Sequence, residues 1–212
     1  MLTATQPLVT LEPGEIARLL RLPPPPPDPI DRHVAAIMQG AKITDAAVLV
    51  PMVMRDGQLS LLFTQRTSHL AAHPGQISFP GGRVEATDAG REDTALRETE
   101  EEIGVARKQI QVLGTLPDYF IPTGFRITPV VGWIEAPFDT RPDPFEVADI
   151  FEVPLAHFLQ VARYQRCEYQ FNGRHRHYVA IPWEGRYIWG ATAGMLLGLA
   201  QLFATHAAHP VA

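Results

Sequence analysis

The chain carries one cysteine, Cys167, in 212 residues. An internal disulfide is therefore excluded, and the fold must rest on its core and its polar contacts. Positive charge is also scarce: 18 Lys and Arg stand against 23 Asp and Glu, a net charge of −5. A general nucleic-acid binder gathers a basic surplus on one face, so that class is not expected. Lysine is almost absent, with Lys42 and Lys108 alone. Nearly all of the cations are arginines, which suit bidentate contact to phosphate or carboxylate. The most apolar run, residues 191–204, is short for a bilayer and contains Gly194 and Gly198. It reads as a buried helix, and no membrane contact is expected. The first fifteen residues lack a basic segment and an apolar segment. A secretory signal is thus not expected, and a cytoplasmic location is. No internal repeat is visible, and low complexity is confined to the prolines at 23–27.

What is present suits a globular fold. Hydrophobic residues make up 46% of the chain, enough for a sizeable core. Residues 11–22 can form a short amphipathic helix with Ile16, Leu19 and Leu20 on one face. The proline run cannot continue it and favours a stiff polyproline II spacer. Residues 1–29 thus read as an N-terminal helix and linker, and residues 30–212 as the main domain. A short helix is expected over 31–39. Strands are expected at 46–54 and 59–65 around the Asp56-Gly57 turn, then at 76–79, 110–116 and 127–135. Residues 117–126 and 136–146 read as loops. Residues 153–161 look helical, with Pro154 tolerated in the first turn. A hairpin around Asn172-Gly173 would join 164–171 to 177–183, and 189–204 would be the closing helix. Trp133, Trp183 and Trp189 read as structural. Strands, helix, strands, helix is the order of an α/β fold with a mixed sheet between helices.

One stretch organises the rest, residues 81–105: GGRVEATDAGREDTALRETEEEIGV. It reads as a glycine turn feeding a helix, with Asp88 as candidate N-cap and Gly104 as the residue that ends it. Glu98, Glu101 and Glu102 stand at i, i+3 and i+4, within one arc of roughly 100°. Ala95, Leu96, Thr99 and Ile103 occupy another arc that would face a core. Like charges at this spacing cost about 0.2–0.5 kcal/mol per pair. A hard divalent cation such as Mg²⁺, which takes oxygen ligands, would offset that cost.

Arg97-Glu98-Thr99-Glu100-Glu101-Glu102-Ile103-Gly104-Val105, with Gly82 upstream, resembles the Nudix box of the Nudix hydrolases. That resemblance implies an α/β/α sandwich with a mixed central sheet. It also implies hydrolysis of a pyrophosphate bond with Mg²⁺ or Mn²⁺ bound by Glu98, Glu101 and Glu102 and by the carbonyl of Gly82. Arg97 would be held by an acid of the same loop and would tie loop to helix. The general pattern places Glu six residues after the glycine and Arg eight residues further on. Here Asp88 stands in that place, with one extra residue before Arg97. Asp88 is the best candidate for the partner of Arg97. The general base is left open among Glu101, Glu102, Glu146 and a metal-bound hydroxide alone, Glu146 being a candidate distal acid from the loop at 136–146, as base or as a further metal ligand.

The longer, Asp-bearing box is similar to that of the coenzyme A pyrophosphatase branch. So is the segment before it, in which Arg66, Gly75, Phe79, Pro80, Gly81 and Gly82 keep the register of that branch's signature. Ala71 occupies the place of an arginine, which removes a cation; His69 and His73 stand nearby. The implied reaction converts coenzyme A or its thioesters to adenosine 3′,5′-bisphosphate and 4′-phosphopantetheine. The alternative is a Nudix pyrophosphatase for ADP-ribose, NADH or dinucleoside polyphosphates. A non-catalytic nucleotide-binding domain is a third reading. Candidate substrate contacts are Arg66, His73, Arg83 and Arg126 for phosphate. Tyr119 and Phe120 stand in a loop that could serve the adenine, but an aromatic pair between two strands reads first as core, and the sequence does not place the adenine. The expected partner is a small-molecule nucleotide, and a homodimer is possible.

Overall fold

The computed structural model describes residues 11–28, 30, 31, 34, 42–171 and 174–207. Helix α1, Pro13–Leu20, opens the described chain, with a capping box between Glu12 and Glu15. The proline run after it is neither helix nor strand. The helix expected over 31–39 falls largely outside the described residues.

Strands β1 (Thr44–Arg55) and β2 (Gln58–Arg66) form the expected hairpin, with Asp56 and Gly57 both at positive φ. Strands β3 (Ile77–Ser78) and β4 (Gly81–Arg83) lead into α2, Arg91–Ile103. Then come β5 (Ile110–Thr115), β6 (Tyr119–Ile121), β7 (Phe125–Ile134) and β8 (Val147–Pro154). These eight strands make one mixed sheet in which β1 runs parallel to β7 and antiparallel to β2. Helix α3 (Leu155–Phe158) follows β8, and β9 (Gln165–Phe171), β10 (Arg174–Trp183) and β11 (Arg186–Trp189) form a second, antiparallel sheet. Helix α4, Ala191–Ala207, closes the described chain.

Strand β1 is buried on both faces, and its alternation sorts its side chains between two cores. Ala46, Val50 and Met52 pack with α1, α4 and the second sheet through Ile16, Leu196 and Ile181. Ala47, Leu49 and Val53 pack with α2 through Ala95 and Ile103. The result is a mixed sheet flanked by helices on both faces, as the order of elements implies. No helix among the described residues is long and apolar enough to cross a membrane.

Three expectations need correction. The helix expected over 153–161 is a single turn, because 147–154 pairs with β2 as a strand and uses up Val153 and Pro154. The loop expected over 117–126 contains β6, which pairs back on β7. The closing helix begins at Ala191, since Trp189 ends β11 opposite Ala180. Trp189 is also exposed, its ring against Tyr178 (5.4 Å between centroids), whereas Trp183 lies against His157. The Asn172-Gly173 turn lies outside the described residues, although β9 and β10 pair on either side of it.

Candidate active site

Helix α2 presents its apolar arc to the sheet and its acidic arc to the turn formed by β4. The backbone of Gly90, not Asp88, takes the N-cap position. Asp88 instead acts as a joint inside the loop. Its carboxylate accepts from the Glu85 N–H (2.9 Å), the Thr94 hydroxyl (2.7 Å) and Arg97 Nε (2.9 Å) and Nη2 (3.1 Å). Burial of the pair is nearly complete, at 12% side-chain exposure for Arg97 and 2% for Asp88. The Arg97 hydrogen bonds hold the Asp88 carboxyl well below the usual carboxylate range, and Asp88 in turn strengthens the hold of Arg97 on its proton. Arg97 Nη2 also donates to the Arg83 carbonyl (3.1 Å), tying β4 to the helix. Gly104 ends α2 in the left-handed region (φ 74), where its N–H reaches the Glu100 carbonyl.

The acidic arc is crowded. Glu102 is 6% exposed. Burial, then repulsion from Glu98 and Glu146, pushes its carboxyl up to about 8, against the pull of Arg66 and a hydrogen bond from the Gly81 backbone. Glu98 is raised as well, first by burial, with Arg97 opposing and Glu101 and Glu146 adding repulsion. Glu101 is 59% exposed and takes a hydrogen bond from Arg97 Nη1 at 3.0 Å, beside the one to Glu98 at 2.9 Å. Glu146 is held by its backbone: its N–H donates to the Asp143 carbonyl (3.1 Å), and its carbonyl accepts from the Thr67 N–H (2.9 Å). The glycines are sterically required. A Cβ on Gly82 would overlap the Glu98 carboxylate, and one on Gly81 would stand 2.6 Å from Val48 Cα.

The structure thus brings Glu98, Glu101, Glu102, Glu146, Gly82 and Arg66 together. Arg66, at the end of β2 and paired with Val147, has its buried Nε without a hydrogen-bond partner. Arg83 exposes its side chain and sets its guanidinium over Phe125, 5.3 Å from the ring centroid. His73 sits exposed in the turn before Gly75 at φ 54. Arg126 is turned elsewhere. It bonds Asp45 in a bidentate pair (2.7 and 2.9 Å), within a network that Arg91, Asp118 and Thr128 complete. Tyr119 is no adenine platform either: it is engaged with Asp31, and its hydroxyl occupies the space beside Gly194 of α4. The Asp45–Arg91–Asp118 network has no local signature, because its members lie on separate elements.

Among the described residues, no group of three or more His, Cys, Asp or Glu side chains is arranged to hold a metal ion. Arg97 accounts for part of this by holding Glu98 and Glu101. The donor set nonetheless fits a hard divalent cation. It consists of carboxylates and a glycine turn, and burial first, with repulsion from neighbouring glutamates added, raises the carboxyls of Glu98 and Glu102, which a cation would relieve. A cleft of about 480 Å³ lined by Arg55, Leu62, Phe138 and Glu152 lies toward the other end of β2. Its cation is already committed, to Glu152 at 2.9 Å and to the face of Phe138 at 4.6 Å.

Residues 43–180 match the family described as NUDIX domain. The chain is 44% identical over 156 residues to the uncharacterized Nudix hydrolase NudL of Enterobacter sp. (strain 638), covering 73% of this chain and 80% of that one. The NudL of Salmonella newport (strain SL254) matches to the same extent, 44% over 156 residues. Among solved structures, the Nudix hydrolase RenU from M. smegmatis aligns with a TM-score of 0.53 at 20% identity, over 80% of this chain and 89% of that one, which speaks for the fold. With the glutamate helix, its glycine turn and its arginine clamp in place, the chain belongs to the Nudix hydrolases.

Proposed function

We propose that the chain hydrolyses the pyrophosphate link of nucleoside diphosphates joined to a second group, the class of ADP-ribose, NADH and dinucleoside polyphosphates. The observation that carries this reading is the crowding of Glu98, Glu102 and Glu146 beside Arg66, whose Nε is buried and unpaired. Glu98, Glu101, Glu102 and the Gly82 carbonyl are the residues that would hold Mg²⁺ or Mn²⁺. A divalent cation there supplies positive charge against the pyrophosphate and makes water a better nucleophile.

The chain's own residues do the rest. Gly81 and Gly82, bare of side chains, let β4 lie close against β1 and against the Glu98 carboxylate. Arg66, close enough to Glu102 to act on its carboxyl, brings a guanidinium charge to the site for a phosphoryl oxygen. Glu101, Glu102 and Glu146 are the groups in reach to accept the proton of the attacking water. The water oxygen bonds to one phosphorus, the bridging P–O bond breaks, and two products leave, each carrying its share of the phosphates; for ADP-ribose or NADH both are phosphate monoesters. Arg97, fixed by Asp88, keeps the glycine turn and the glutamate arc in register.

Coenzyme A is a second reading, favoured by the place of the Arg66–Gly82 segment against the carboxylates. Ala71 weighs against it. It is exposed and uncharged, so that point of the loop offers nothing to a 3′-phosphate. Product analysis with Mg²⁺ separates the two. ADP-ribose, NADH or a dinucleoside polyphosphate should turn over at least as well as coenzyme A, and dephospho-coenzyme A about as fast as coenzyme A. A large preference for coenzyme A over its dephospho form would reverse the order. Nucleotide binding without turnover of any member of the panel would point to a non-catalytic domain.

A further inference from the structure

Phe145 stands one residue before Glu146 and is 63% exposed. A single apolar ring at a protein surface is ordinary; what gives this one a use is its place beside Glu146 and the carboxylates. Its backbone is also held in place. The Phe145 N–H donates to Asp143 Oδ1 (2.8 Å), and its carbonyl accepts from the Thr67 hydroxyl (2.7 Å). The next carbonyl accepts from the Thr67 N–H (2.9 Å). Thr67 directly follows Arg66, so one short tie fixes the Phe145 backbone relative to both Arg66 and Glu146. His69 backs the ring, with centroids 4.8 Å apart and planes inclined by 59°. Three other phenylalanine rings have a face covered by a cation. Phe138 lies under the Arg55 guanidinium, Phe125 under Arg83, and Phe151 under Arg186 at 3.8 Å. Tyr119 is buried against α4.

We propose that Phe145, backed by His69, is the platform on which the nucleobase of the substrate stacks. The inference rests on the nucleoside diphosphate reading and adds to it the residue that recognises the base. The phosphates lie between Arg66 and the carboxylates, and the ribose carries the base outward over the rim formed by residues 143–146. Stacking on an aromatic ring tolerates any base, so Phe145 selects for a nucleotide over a base-free diphosphate rather than for adenine over guanine.

Equilibrium binding tests this without turnover. ADP and ribose 5-diphosphate are titrated calorimetrically into the full chain with Mg²⁺, in the wild type, Phe145→Ala and Phe145→Trp. The wild type should bind ADP about tenfold more tightly than ribose 5-diphosphate. Phe145→Ala should lose that preference while keeping its affinity for ribose 5-diphosphate, and Phe145→Trp should keep it. The proposal is overturned if Phe145→Ala retains the preference, if it loses affinity for both ligands equally, or if the wild type binds neither. A preserved preference in a wild type that hydrolyses no pyrophosphate substrate would sink the hydrolase reading and leave the base platform standing.

Discussion

The two ends of α2 treat negative charge in opposite ways. Near its start, acids and arginines are matched. Asp88 meets Arg97, while Asp45 and Asp118 share Arg91 and Arg126. In its second half, Glu98, Glu102 and Glu146 face one another, with Arg97 and Arg66 as the nearby cations. The matched end is a fastening, since each charge has its partner before any ligand arrives. The crowded end raises the carboxyls of Glu98 and Glu102, by burial first and repulsion second, a cost that makes sense where a cation is to be bound. Arg126 illustrates the point. A loop arginine among candidate phosphate contacts turns out to be committed to Asp45.

Substitutions at each end should break in different ways. The largest effect is expected for Glu102→Gln, which should lower kcat by about a hundredfold or more. Because it removes repulsion, the melting temperature of the metal-free protein should hold or rise. A fall in Tm would show that Glu102 belongs to the fastening after all.

Next comes Arg97→Ala, which leaves the nearly buried Asp88 without its cation. Tm should drop by roughly 10 °C. Calorimetry on Arg97→Ala, Asp88→Ala and the double variant should show strong coupling. Simple additivity would mean that the pair is incidental to the fold.

A smaller, pH-dependent effect is expected for Asp88→Asn. The Asp88 carboxyl is held down in the folded chain, so the stability it contributes is present above its unfolded pKa of about 4 and is lost as pH falls below that. The variant should therefore melt lower than wild type at pH 7, by roughly 5 °C, and the gap should narrow toward pH 3. A gap that does not change between pH 7 and pH 3 would contradict the assigned role.

The smallest effect is expected for Arg126→Ala. Its pair with Asp45 is partly exposed, and such pairs contribute little, so Tm should move by about 2 °C or less. Activity should stay within about twofold. A strong rise in KM confined to phosphate-rich substrates would restore Arg126 to the binding site.

Legibility followed sequence distance. The glutamate arc, the glycine turn and the Asp88–Arg97 tie lie within one short stretch, and helical spacing or loop closure brings them together. The hairpin at Asp56-Gly57 was legible for the same reason. Residues 153–161 misled because their helical pattern overlaps a strand whose identity depends on pairing with β2, about 90 residues earlier in the chain. Phe145 drew no attention because a phenylalanine in a Pro- and Asp-rich loop has no periodicity to reveal whether it is buried or exposed.

The sequence by itself determined the family, the α/β order and the helix that carries Glu98, Glu101 and Glu102, since these depend on neighbours in the chain. Tertiary structure decided which charges are paired. Asp45 stands opposite Arg126 in the parallel pairing of β1 with β7, 81 residues away in sequence, and that register gives Arg126 a carboxylate partner. Strand β8, laid against β2, brings Glu146 to the carboxylates and sets Phe145 beside His69. Such partnerships arise from strand register and burial, which no local pattern encodes.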